Sequence, residues 1–216
     1  VRGTERRQAV VAGAVVLVLG AVLAWFLLGD RTVPAPPPAP PAALPVPAAT
    51  PAPTPAPPRD PCATPARRGF VPTALSIPGV VRQASVQGFP RDAQGVPGVP
   101  PVADKDVVAW DVGGVEPGSR QGHVLLNAHT WPNGTALGNR LLDGLREGGR
   151  IVLRGAGGKL ACYRVTERTE VRVEDGYPGW DAVDGSPEVV IVVCSGVRRG
   201  PGDWSHRTLW FARAAA

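Results

Sequence analysis

From Pro34 to Pro65 the chain is dominated by Pro, Ala and Thr and carries almost no charge. Such a stretch can bury no core; it favours polyproline II. At about 3.1 Å per residue, its roughly 30 residues reach on the order of 100 Å when extended. It reads as a stalk, within a Pro/Ala-rich linker over 29–69, and it confines any folded unit to the residues C-terminal to it. Residues 70–216 are the right size for one domain with one core.

Ahead of the stalk, Ala9 to Leu28 are uncharged and almost wholly apolar. At about 1.5 Å rise per residue a helix of that length spans the roughly 30 Å hydrocarbon core of a bilayer. Arg2, Arg6 and Arg7 precede it, so residues 1–8 are expected in the cytoplasm and everything after Leu28 outside. A cleaved signal peptide is the competing reading. Its apolar region is shorter and ends in small residues, whereas this run exits through Trp25-Phe26-Leu27-Leu28. The expectation is a single-pass cell-membrane protein with an extracytoplasmic domain.

From Gly69 onward there are 16 Lys plus Arg against 15 Asp plus Glu, so the net charge of +5 comes almost entirely from the anchor flank and stalk. No basic stripe interleaved with aromatics appears, and a nucleic-acid partner is not implied. The three cysteines form an odd set, which suggests one pair plus one free thiol. The expected pair is Cys62, at the end of the stalk, with Cys162; three free thiols is the alternative.

Short apolar stretches separated by Gly, Pro and Asp predict an all-β barrel or sandwich. Candidate strands are 73–76, 80–83, 122–127, 150–154, 160–165, 169–173, 189–194 and 208–213, with a hairpin turn at Gly155-Ala156-Gly157-Gly158. One short amphipathic helix is expected from Ala136 to Arg146, with Leu137, Leu141, Leu142 and Leu145 on one face.

Chemistry concentrates at Cys194. It ends the apolar run Val189-Val190-Ile191-Val192-Val193, and Ser195-Gly196 come at once after it, so the thiol is expected at a strand end. His129 ends the stretch Gly122-His123-Val124-Leu125-Leu126-Asn127-Ala128, and Arg207 opens Thr208-Leu209-Trp210-Phe211. A thiol, an imidazole and a guanidinium at strand edges suit nucleophilic acyl transfer. Against this stands the ordinary role of a lone cysteine as a small buried hydrophobe. His123 lies on the same face as His129 by period-two alternation and reads as a core-edge residue. His206 is an alternative base, but beside Arg207 in a strand it points to the opposite face. No His or Cys pair has metal-ligand spacing, and no cofactor is implied. Asn133-Gly134-Thr135 matches a glycosylation acceptor but reads as a turn; the acidic stretch from Glu174 to Asp184 offers loose Ca²⁺ ligands but reads as a solvated loop, and the loop from Glu174 to Pro187 is expected to shape the groove.

The order His129, Cys194, Arg207 behind an apolar anchor and a linker resembles the sortase family of Gram-positive bacteria. The Gly122–His129 stretch and the short Arg-headed last strand are most similar to the actinobacterial class E and F members. The resemblance runs from about Ala74 to Ala212 and includes Leu75-Ser76-Ile77-Pro78-Gly79-Val80. It implies an eight-stranded β-barrel cysteine transpeptidase, with Cys194 the nucleophile, His129 the general acid and base, and Arg207 the residue that positions substrate and steadies the oxyanion. It further implies surface proteins bearing a Leu-Pro-x-Thr-Gly-like sorting signal as substrates, cleaved through a thioester. The acceptor amine would come from a peptidoglycan precursor or a pilin lysine.

The chain departs from the family pattern at Val193, where many relatives have Thr, at Val190, and at Thr130-Trp131, where many class F members are acidic. These departures bear on peptide specificity. Two rival classes remain: another exported cysteine enzyme, such as a peptidase or an L,D-transpeptidase-like cross-linker, and a membrane-tethered β domain that only binds peptide or wall polymer.

Overall fold

The computed structural model describes residues 60–63, 66 and 68–215. The apolar segment 9–28 and nearly all of the Pro-rich stretch lie outside the described residues; among those described, no helix is long and apolar enough to cross a membrane.

Eight strands form a closed barrel: β1 (Pro72–Ile77), β2 (Val81–Phe89), β3 (Val107–Asp111), β4 (His123–Ala128), β5 (Arg150–Gly155), β6 (Leu160–Arg172), β7 (Glu188–Gly200) and β8 (Asp203–Ala214). Their order around the barrel is β1-β2-β3-β4-β7-β8-β6-β5, closed by antiparallel pairing of β1 with β5. Two neighbours are parallel, β2 with β3 and β4 with β7. A parallel pair needs a crossover connection rather than a tight turn. One helix, α1 (Leu137–Gly144), comes after β4 and buries Leu137 and Leu141.

The inside of the barrel is filled by alternate residues, among them Leu75, Leu126, Ile151, Leu153, Ile191 and Trp210, each at most 1 % exposed. Trp210 finds a partner for its indole N–H in the Leu145 carbonyl at 3.1 Å, which fastens the segment after α1 to β8. A second apolar layer lies on the other face of the same strands: Leu125, Val190, Val192, Leu209 and Phe211, with Val171, Tyr177 and Trp180 packed against it. The valine-rich run in β7 is thus buried on both faces, which is why it reads as continuous rather than alternating.

Several strands differ from the sequence expectation, β2 among them, which runs on from the expected 80–83 to Phe89. Strand β3 is absent from the expected set, because its Val-Val-Ala-Trp core is brief and comes directly after Asp104-Lys105-Asp106. The stretches expected as two strands, 160–165 and 169–173, are one strand, β6, whose register shifts between Val165 and Glu167. That bulge falls where Thr166-Glu167-Arg168 interrupt the apolar pattern. Strands β7 and β8 also run on past the barrel core, pairing as far as Gly200 with Asp203. Cys194 and Arg207 therefore sit within their strands rather than at the ends, and the apolar pattern stops because the hairpin beyond them is solvated.

Segment 60–63 is fastened to the barrel. Cys62 and Cys162 form a disulfide with Cα atoms 5.8 Å apart, both buried, and Arg150 meets Asp60 at 3.0 Å.

Candidate active site

In β7 the odd residues Val189, Ile191 and Val193 turn into the barrel, while Val190, Val192 and the half-buried Cys194 turn outward. Register pairs Cys194 with Arg207 on β8, where Arg207, Leu209 and Phe211 share the outward face. The parallel pairing of β4 with β7 ends on Ala128 against Val193, so the next residue, His129, comes level with Cys194. Ring, thiol and guanidinium all line one groove of about 770 Å³. Local register thus brings together three residues that are far apart in sequence.

The loop carrying His129 is held from two sides. Thr130 donates its hydroxyl to the Cys194 carbonyl at 2.7 Å, stitching it to the thiol's own strand. The Gly138 N–H at the start of α1 donates to the His129 carbonyl at 2.8 Å. A Cβ at Gly138 would lie 2.5 Å from that same oxygen, so only glycine permits the approach. Asn139 closes the loop between them. Its Oδ1 accepts from the Trp131 and Ala136 N–H groups at 3.0 and 3.1 Å, and its Nδ2 donates to the Trp131 carbonyl at 3.0 Å.

Burial pushes the Cys194 thiol above the usual thiol range, and the positive charge of Arg207 pulls it part of the way back. Arg207 donates through one terminal nitrogen to the carbonyls of His206 and Trp204, at 2.9 and 3.3 Å. Those bonds hold the guanidinium over its own strand at the groove. His129 bonds through Nε2 to the Pro100 carbonyl at 2.7 Å.

Loops form the walls, the β4–α1 loop with Trp131 and the β7–β8 hairpin with Trp204 among them, and two more come from further round the barrel. The β2–β3 loop (90–106) contributes Val96, Pro97, Val99 and Val102, and the β6–β7 loop (173–187) contributes Trp180. Arg91 ties both loops to the barrel: its Nε and one terminal nitrogen donate to the buried Asp111 at 2.8 and 2.6 Å, and the other donates to Asp181 at 3.0 Å. His123 shares the face of His129 but is spent elsewhere. Its Nδ1 donates to the Trp180 carbonyl at 3.1 Å, and its ring meets Phe211 edge-on at 6.0 Å. His206 turns to the Ser205 hydroxyl at 2.7 Å and pairs with Ser195, away from the groove. Among the described residues there is no cluster of His, Cys, Asp and Glu suited to a metal.

The sequence does not mark Asn127, Asn139 and Arg91 as parts of the site, and it marks Thr130 only as a departure from the family pattern, not as the tie to the thiol's strand. Asn127 is legible by alternation, two residues before His129 on the same face; Thr130 and Arg91 act through contacts distant in sequence, while Asn139 acts locally, three and eight residues back, on a loop whose shape no periodic pattern encodes.

No family model matches the chain, and no curated protein matches it in sequence. Solved structures do. The type III crystal structure of Streptococcus agalactiae sortase C1 superposes with a TM-score of 0.51 at 19% identity, covering 66% of this chain and 66% of that one. A lid mutant of sortase A from Corynebacterium diphtheriae gives 0.51 at 19% identity, over 69% and 72% of the two chains. The eight-stranded barrel with one short helix is a sortase fold.

Proposed function

We propose that the protein is a membrane-anchored cysteine transpeptidase of the sortase type, nearest the actinobacterial class E and F members, working outside the cell. The observation that carries this reading is the alignment of Cys194 opposite Arg207 in the β7–β8 register, with His129 level with both in one groove. The segment 9–28 would hold it in the membrane, and the Pro-rich linker would set the barrel at a distance.

In the proposed cycle the Cys194 sulfur attacks the carbonyl carbon of a Thr-Gly bond in a Leu-Pro-x-Thr-Gly-like sorting signal, and its proton passes to His129. Negative charge develops on the carbonyl oxygen, where the guanidinium of Arg207 donates. The C–N bond breaks as His129 returns the proton to the leaving amine, giving a thioester. An incoming amine attacks the thioester, its proton passes to His129 and then to sulfur, and the C–S bond breaks.

Because burial raises the thiol pKa, the resting sulfur is protonated at neutral pH, and substrate must arrive with the base in place. The groove's apolar walls, Val96, Val99 and Trp180, suit a peptide with Leu and Pro side chains, and among the described residues no acidic side chain lines it.

The test is incubation of the extracytoplasmic domain with a panel of sorting-signal peptides and an amine such as triglycine. A thioester adduct on Cys194, seen by mass spectrometry and exchanged for the amine, is the expected result. It should vanish in Cys194→Ala and fall at least about a hundredfold in His129→Ala and Arg207→Ala. Peptide binding without any adduct would instead mark a tethered binding domain.

A further inference from the structure

Two polar side chains on the outward face of β4 and its extension reach one stretch of the β2–β3 loop. Asn127 Nδ2 donates to the Gly98 carbonyl at 2.9 Å, and His129 Nε2 donates to the Pro100 carbonyl at 2.7 Å. A carbonyl oxygen only accepts, so Asn127 must present its NH2 and His129 must carry a proton on Nε2. The donors are two residues apart on the strand line, and the acceptors are two apart on the loop. Residues 98–100 therefore lie along the end of β4 as a strap with two matched rungs. Glycine is what lets the strap settle: a Cβ on Gly98 would stand 2.6 Å from the Pro90 carbonyl oxygen and 2.7 Å from Phe89 Cβ.

We propose that Asn127 is a positioning residue for His129. By holding residues 98–100 it keeps the Pro100 carbonyl on Nε2, fixes the Nε2–H tautomer, and leaves Nδ1 as the nitrogen that exchanges protons at the groove. A neutral imidazole has one N–H, so a proton locked on Nε2 puts the lone pair on Nδ1. The role in turnover rests on the transpeptidase reading. Under it, the Cys194 proton passes to Nδ1 and from Nδ1 to the leaving amine nitrogen as the C–N bond breaks. Without the strap the ring loses its fixed acceptor and samples both tautomers, only one of which is primed.

The experiment is nitrogen-15 NMR of the His129 ring in the native protein and in Asn127→Ala, Asn127→Gln and Gly98→Ala, with thioester formation measured alongside. The native ring is expected as the Nε2–H tautomer with a slowly exchanging proton. Asn127→Ala removes one rung, and Gly98→Ala displaces the strap from outside the groove. Both should give mixed tautomers and faster exchange, with kcat for thioester formation down roughly five- to tenfold and KM changed by less than about twofold. Asn127→Gln, which keeps an amide donor, should restore the native ring signals.

A native ring protonated on Nδ1 overturns the proposal without any variant. So do native-like tautomer and exchange in Asn127→Ala and Gly98→Ala; should Asn127→Ala fail to fold, Gly98→Ala decides. An Nε2–H ring that responds to these changes, in a protein that forms no thioester with any peptide, would refute the transpeptidase reading and leave the strap's control of the tautomer standing.

Discussion

Cys194 experiences two opposed influences, and the larger is burial. Its alkylation by iodoacetamide should therefore rise with pH through a midpoint above the ordinary thiol value of about 8.5. Arg207→Ala removes the attraction that favours the thiolate, so the midpoint should move higher still and labelling at neutral pH should slow several-fold. A midpoint that ignored Arg207 would show that the guanidinium does not act on the sulfur. The sign carries over to stability. The folded state holds the Cys194 proton more tightly than the unfolded chain does, so this group's contribution is complete below the ordinary thiol value and is lost as pH rises above it.

The thiol, ring and guanidinium are each visible in the sequence, since reactive residue types flanking apolar runs are conspicuous. Their mutual placement is not. It depends on the register of β4 against β7 and of β7 against β8, which no local pattern encodes. Val193 illustrates the difference. In sequence it stands out as a departure beside Cys194, whereas in the structure it is 2 % exposed and turned into the barrel, so a hydroxyl there would face the core rather than the groove.

Among the elements, the connection from β4 to α1 decides where His129 sits, and Asn139 is its fastening. Asn139→Ala removes three hydrogen bonds that satisfy the Trp131 and Ala136 backbone. The variant should be destabilised by about 1–3 kcal/mol, read from denaturant unfolding, because backbone groups are left without partners. Loss of the His129 position should accompany this even where the protein stays folded, so the melting temperature and the thioester rate should fall together.

Helix α1 itself is well marked by its leucine spacing, and it runs over Leu137–Gly144 within the expected 136–146. Strand β3 is hidden because five residues with charged neighbours carry too little pattern. The expected strands number eight only because a bulged strand counted twice replaces one that goes unseen.

For the molecule as a whole, two ties fasten peripheral pieces to the barrel. The Cys62–Cys162 disulfide closes a separation of 100 residues. Removing it by Cys62→Ala with Cys162→Ala should lower stability by up to about 4–5 kcal/mol in the loop-entropy picture, measured as a drop in denaturant midpoint. An unchanged midpoint would mean that segment 60–63 adds nothing to the barrel.

The second tie is Arg91. Its partner Asp111 has a side chain with no exposed surface, so Arg91→Ala strands a buried carboxylate and should cost about 3–5 kcal/mol. Adding Asp111→Asn should recover part of that loss, because the stranded charge is gone. Reporter fluorescence from Trp180 would show whether the β6–β7 loop loosens with it.

Because β1 meets β5 the barrel closes on itself, and the strand lengths left with a single neighbour are the overhangs of β6 beyond Val165 and of β7 beyond Val193. Over the closed body of the barrel a polypeptide cannot simply extend the sheet, as it does in partners that capture ligands by strand addition. Under the transpeptidase reading, peptide preference would be carried largely by the groove loops, among them 90–106 and 173–187, which are pinned to the scaffold at a handful of points such as Arg91 and His123. Exchanging those walls between relatives should transfer peptide preference as a cassette, while the reactive trio and the hydrophobic interior stay untouched.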